Sequence, residues 1–185
     1  MPDESRACRS PRGTTGSVIE LRFRPGSPTD ADAVLAMFDE AIAWLVQRGL
    51  AGQWGELPFS TRHEPRERVR RILHDDEVRI AEHGGVPVGA LAAGGAPPYA
   101  PASEVPELYV TLLLSARRLA GNGIGARLLE LADALATERG AVQLRVDCWA
   151  DAPALVRFYE RQGFARTGRF ELTGWRGQVL RKHLA

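Results

Sequence analysis

Residues 107–125 read Glu107-Leu-Tyr-Val-Thr-Leu-Leu-Leu-Ser-Ala-Arg-Arg-Leu-Ala-Gly-Asn-Gly-Ile-Gly125. Glu107 to Leu114 is rich in apolar and β-favouring residues and reads as a strand. Gly121, Gly123 and Gly125 then stand at alternate positions, where a backbone without Cβ atoms can come close to a ligand. Behind them Ile124, Leu128, Leu131, Ala132 and Leu135 form one apolar stripe. That spacing predicts a helix from about Gly123 to Arg139, closed by Gly140. Its first turn aims unpaired amides and a positive dipole end back at the glycines. Strand, turn and helix in this order make an anion site, most often for phosphate.

On the N-terminal side, Val18 to Arg24 alternates as a strand does, and Pro25-Gly26 ends it. Ser27-Pro28-Thr29-Asp30 starts a helix that runs to about Arg48, with Val34, Phe38, Ala41 and Leu45 at helical spacing. Glu64-Pro65 opens a second helix with Val69, Ile72 and Leu73 inward. Val78 to Ala81 and Val86 to Ala92 are short strands around Gly84-Gly85. On the C-terminal side follow a strand from Val142 to Cys148, a helix from Ala152 to Gln162 with Asp151 as its cap, and strands from Phe164 to Phe170 and Trp175 to Leu184. The order β-α-α-β-β-β-α-β-α-β-β, with one βαβ unit, predicts an α/β chain (a mixed α+β sheet) with helices on both faces.

The chain of 185 residues is long enough for one core. The expected organisation is a disordered tail over residues 1–16 and a single domain over 17–185. A formal net charge of +1 argues against a general nucleic-acid binder. No apolar run approaches a membrane span, and the polar start from Met1 to Ser17 has no secretory h-region. Cys8 and Cys148 lie far apart, which fits a reducing cytoplasm. His63, His74, His83 and His183 lack metal-ligand spacing, so no metal is expected.

The anion turn narrows by chemistry. Residues 123–126 are Gly-Ile-Gly-Ala, so the Gly-Lys-Ser/Thr of a nucleoside-triphosphate loop is missing. Gly121-x-Gly123-x-x-Ala126 satisfies a dinucleotide string, with Asp147 placed 21 residues past Ala126 as the acid. Context opposes that reading: Ser115 to Ala120 separate strand from turn, and too little chain follows to complete a dinucleotide sheet.

Two signatures carry a resemblance. One is the strand and glycine turn quoted above; the other is Phe158-Tyr-Glu-Arg-Gln-Gly-Phe164, after Leu144-Arg-Val-Asp-Cys-Trp-Ala150. Together, residues 107–170 resemble the core of the GCN5-related N-acetyltransferase (GNAT) superfamily, and residues 18–93 are compatible with it. The family pattern Arg/Gln-x-x-Gly-x-Gly/Ala falls on residues 120–125, with Ala120 in the place of the Arg or Gln.

The resemblance implies a GNAT-type fold, acetyl-CoA as co-substrate and direct transfer of an acetyl group to a primary amine in a ternary complex. It implies that the loop from Arg118 through Ala120, Gly121, Asn122, Gly123, Ile124 and Gly125, with Ala126 behind it, holds the pyrophosphate. Arg117 or Arg118 would supply the charge that Ala120 lacks. Leu113, Leu114 and Ser115 would line the pantetheine arm. It further implies Tyr159 as the acid that protonates the leaving thiolate, since a phenol with a pKa near ~10 suits that step. Glu107 would be the base, with Glu104 as the loop alternative. Trp149 would shield the thiol end or simply pack. Trp44, Trp54, Phe59 and Tyr99 are candidates for the acceptor side. A small-molecule amine is the expected partner and a homodimer the expected assembly. The alternatives are a non-catalytic acyl-CoA-binding module and a protein N-terminal or lysine acetyltransferase.

Overall fold

The computed structural model describes residues 19–184. The tail expected over residues 1–16 lies outside them. The chain folds in the expected order: β1 (Arg22–Pro25), α1 (Ala31–Val46), α2 (His63–Asp75), β2 (Glu77–His83), β3 (Val86–Gly94), β4 (Glu107–Ser115), α3 (Ile124–Glu138), β5 (Gln143–Trp149), α4 (Pro153–Arg161), β6 (Ala165–Leu172) and β7 (Trp175–His183). Short 3-10 turns precede α1 and α3.

Seven strands form one sheet in the order β1-β2-β3-β4-β5-β7-β6. Only β4 and β5 run parallel, joined by the crossover helix α3. All other neighbours are antiparallel. Both faces are covered, because Val88 to Ala93 of β3 are all buried although successive side chains point to opposite faces. Helix α3 lies over β3, β4 and β5. It comes close at Gly89, where a Cβ would stand 2.7 Å from Ile124.

The start of α1 is fixed by charge. Asp30 accepts from the Ser27 amide at 2.9 Å and takes two bonds from Arg24, at 3.0 and 2.6 Å. Those bonds hold its carboxyl below the usual carboxylate range.

Two irregularities shape the centre of the sheet. Ala92 pairs with Leu112 and Ala93 with Val110, so Thr111 is an extra residue, a β-bulge. The Thr111 hydroxyl donates to Asp76 at the end of α2. Pairing between β4 and β5 runs from Glu107 opposite Gln143 to Val110 opposite Val146 and stops there. Beyond that point β4 continues to Ser115 and β5 to Trp149. The two strands therefore part at Thr111 and Asp147, leaving a wedge between them.

Candidate active site

The glycine turn stands at the mouth of this wedge, and its glycines do different work. Gly121 and Gly123 have φ of 89° and 72°, the left-handed region, and nothing lies within 4 Å of where a Cβ would stand on either. Gly123 is the cap residue of α3. Gly125 belongs to the first turn of α3, where a Cβ would lie 3.2 Å from the Phe158 ring of α4. At Gly125 the missing side chain also lets α3 pack on α4. The amides of Gly121, Gly123, Ile124, Gly125 and Ala126 have no hydrogen-bond partner among the described residues. The Asn122 side chain donates to Leu119 at 3.0 Å and braces the turn. Ala120 and Asn122 donate their amides to Arg117 and Leu119, so they shape the nest without contributing to it.

Neither arginine replaces the missing charge at position 120. Arg118 donates both its amide and its guanidinium to Glu40 of α1. Arg117 lies over the Trp44 ring at 3.9 Å, and Arg48 lies over the same ring at 4.1 Å. The Arg118 side chain ties the turn to α1. The unpartnered donors that the turn itself presents are backbone amides.

Leu113, Leu114 and Ser115 pair with Leu91, Ala90 and Gly89 of β3, while their other edge faces the wedge unpaired by β5. Tyr159 sits on α4, buried beside Phe158 and Phe164 at ring distances of 5.2 and 5.7 Å. Burial pushes its phenol well above the ordinary tyrosine value. Its hydroxyl makes no hydrogen bond among the described residues.

Glu107 stands differently. It accepts from Arg145 at 3.1 and 2.9 Å and from Gln143 at 3.0 Å, where β4 and β5 are still paired. Arg145 is itself buried, and its second nitrogen donates to the Pro101 carbonyl. This carboxylate is the counterion of a buried guanidinium, away from the wedge. The geometry opposes the expected base at Glu107, and Glu104 is exposed on the covering loop.

The carboxylate at the wedge is Asp147. It is half-buried and accepts from Tyr109 at 2.8 Å and from Tyr99 at 3.4 Å. Burial raises its carboxyl above the ordinary range; the two phenols and nearby Arg68 of α2 oppose that rise. Sequence reasoning met Asp147 only as a dinucleotide acid. The available signal was an acid within an otherwise apolar buried strand.

Aromatic rings continue from this carboxylate. Tyr99 packs on Phe170 at 4.8 Å, and Phe170 on Trp175 at 5.8 Å. Phe170 lies over Gly177, whose missing side chain makes room for the ring. The Trp175 indole donates to the Gln53 carbonyl at 3.0 Å. Trp149 packs on Gly52, where a Cβ would approach to 2.8 Å. Of the acceptor-side candidates, Tyr99 alone reaches Asp147. Trp54 and Phe59 cluster with Phe38 of α1 at 5.1 and 4.9 Å. Asp151 is bonded to Arg176, while Ala152 occupies the cap of α4, correcting the expected cap. Burial pushes the Cys148 thiol up to about 12, which removes it as a nucleophile near neutrality. No group of three His, Cys, Asp or Glu side chains among the described residues could hold a metal. No described helix is long and apolar enough to cross a membrane.

The bulged strand β4 thus parts from its parallel neighbour β5, with a nest of unpartnered amides beside the gap. The acetyltransferase (GNAT) family model matches residues 37–164, and the chain belongs to that family. It is an acetyl-CoA-dependent N-acetyltransferase, with acetyl-CoA as co-substrate. It is 28% identical over 149 residues to the uncharacterized N-acetyltransferase YesJ of Bacillus subtilis (strain 168), covering 78% of this chain and 81% of the relative. Among solved structures it resembles a ribosomal-protein-alanine N-acetyltransferase from Brucella melitensis, at 23% identity and a TM-score of 0.63 over 88% of this chain and 99% of that one. The protein yncA of Salmonella typhimurium, solved with its cofactor acetyl-CoA, is similar at 17% identity and a TM-score of 0.63 over 90% of this chain and 95% of that one. These structural likenesses bear on the fold. The five free amides at the N-terminus of α3 fit the pyrophosphate of that co-substrate.

Proposed function

We propose that this enzyme acetylates a small-molecule primary amine in the cytoplasm, by direct attack of the amine within a ternary complex. The observation that carries the small acceptor is the bond from Trp175 to the Gln53 carbonyl. It ties the β6–β7 hairpin to the connection after α1, which in this reading closes that side of the site to an extended peptide.

In this reading the amides of Gly121, Gly123, Ile124, Gly125 and Ala126 bind the pyrophosphate. The free edge of Leu113 to Ser115 orients the pantetheine arm as a strand would. Acetyl-CoA supplies an activated acyl carbon; the chain supplies position, a dry wedge and proton transfer. Tyr159, with an uncommitted hydroxyl, gives its proton to the departing thiolate. The reduced, buried Cys148 is consistent with a cytoplasmic location.

Steady-state release of free thiol from acetyl-CoA, measured over a panel of small amines and N-terminal peptides, tests this reading. Turnover with small amines supports it. Turnover with peptides alone replaces it by a protein acetyltransferase, and acetyl-CoA binding without turnover leaves a non-catalytic module.

A further inference from the structure

Resting on the transferase reading above, we propose that Asp147 receives the ammonium group of the acceptor and takes its proton. The acceptor is then a protonated primary amine carried on an apolar or aromatic frame, held against the connected rings of Tyr99, Phe170 and Trp175.

Position comes first. Asp147 is the first residue of β5 beyond the last position paired with β4, and Thr111 is its counterpart on β4. A group on Asp147 therefore stands at the apex of the gap that takes the acyl arm, where the two strands begin to part. Its carboxylate is fixed by the Tyr109 and Tyr99 hydroxyls, and the fully buried Tyr109 ring holds its own donor in place. Two hydrogen bonds leave lone pairs on the carboxylate for a further donor.

The surroundings select for charge. The titratable and charged groups facing Asp147 are Tyr109 from β4, Tyr99 from the covering loop, Arg68 from α2, neighbouring Cys148 and Tyr159 of α4. Only Arg68 among them is cationic, and it makes no ion pair or hydrogen bond with Asp147. A half-buried carboxylate with no paired cation has an unmet demand for one. Aromatic faces beside it attract an ammonium ion and an apolar frame alike.

The step balances. The bound R–NH3+ passes one proton to the Asp147 carboxylate, freeing the nitrogen lone pair. The C–N bond forms as the C–S bond breaks. Tyr159 gives its proton to the thiolate and recovers one from the acylated nitrogen. Asp147 then releases its proton to solvent, so that R–NH3+ and the thioester yield amide, free thiol and one proton. The carboxyl titrates above the usual range, closer to working pH, which suits a general base.

The test uses the full chain saturated with acetyl-CoA, with 2-phenylethylamine and its uncharged analogue 2-phenylethanol as probes. Tryptophan fluorescence reports binding through Trp149 and Trp175. Wild type should bind the ammonium form at least about tenfold tighter than the alcohol, and Asp147→Asn should abolish that preference while retaining acetyl-CoA affinity. Turnover should fall about 100-fold in Asp147→Asn, with loss of the acidic limb of the pH–rate profile, and recover in part in Asp147→Glu. Equal binding of the two probes by wild type, or an Asn variant with full turnover and an intact acidic limb, would overturn the proposal. Asp147-dependent ammonium binding without acetyl-CoA consumption would keep the ammonium site, overturn the role of Asp147 as base and remove this amine class as the acceptor.

Discussion

Gly125 and Phe158 touch across the α3–α4 boundary: a Cβ on the glycine would stand 3.2 Å from the ring. The helix that presents the anion nest thus leans directly on the helix that carries Tyr159. Replacing Gly125 by Val should push α4 away and cost about 1–3 kcal/mol of stability through overpacking. It should also lower kcat more than it changes acetyl-CoA affinity. Denaturant melts and steady-state kinetics on the same preparation check both.

The turn itself should respond through backbone conformation. Gly123 has φ of 72° with open space around it, so Gly123→Ala meets no clash. It should still cost about 1–2 kcal/mol, because L-residues resist the left-handed region. Relaxation of the turn would misalign the amides, so KM for acetyl-CoA should rise. Arg118→Ala, by contrast, should leave that KM nearly unchanged, since its guanidinium serves Glu40. Isothermal titration with coenzyme A separates the two cases.

Tyr159→Phe removes a hydroxyl that no protein group uses among the described residues, while preserving the ring that packs on Phe164. Thermal stability should therefore hold. Turnover should drop about 100-fold if the phenol protonates the thiolate. Activity equal to wild type in a fully folded variant would remove Tyr159 from the mechanism.

Glu107→Gln tests the opposite assignment. It leaves the buried Arg145 guanidinium without its carboxylate, a loss of about 3 kcal/mol or more. Turnover per folded molecule should stay near wild type, with the basic and acidic limbs of the pH–rate profile unmoved. Urea unfolding beside single-substrate kinetics gives both readings.

Two carboxylates give stability opposite pH slopes. The Asp30 carboxyl is held low by Arg24, so its stabilisation is full above the unfolded carboxylate pKa of about 4 and is lost as pH falls through its lower folded value. The Asp147 carboxyl is held high, so the fold binds its proton more tightly than the unfolded chain does. Stability is then lost as pH rises from the ordinary carboxylate range through the raised value. Asp147→Asn should gain stability relative to wild type over that window, while Asp30→Asn should lose it toward neutrality. Thermal melts from pH 3 to 8 distinguish the signs.

The sequence made the element order legible because most segments keep one period and several end at a glycine or proline, as α3 does at Gly140; α3 and β5 fall within a residue or two of their expected bounds. The amide nest was legible for the same local reason. What sequence could not show was contact across the fold. Arg118 looks available beside the glycines, yet its partner Glu40 lies 78 positions away. Glu107 looks like a free acid at a strand start, and only the parallel register brings Arg145 beside it. Asp147 acquires its two phenols from a neighbouring strand and a loop 48 residues upstream. Charge partners and the parting of two strands are properties of register, and no local pattern encodes them.

Strand β7 is last in chain order but lies between β5 and β6, bonded along both edges. On a ribosome, residues 143–149 emerge with one edge of their ladder open and must wait for residues 175–183. During that interval the strand bearing Asp147 is exposed to wrong pairing. Arrival of β7 therefore seals the half of the sheet that carries Asp147, and slow translation before residue 175 would lengthen the time at risk of aggregation.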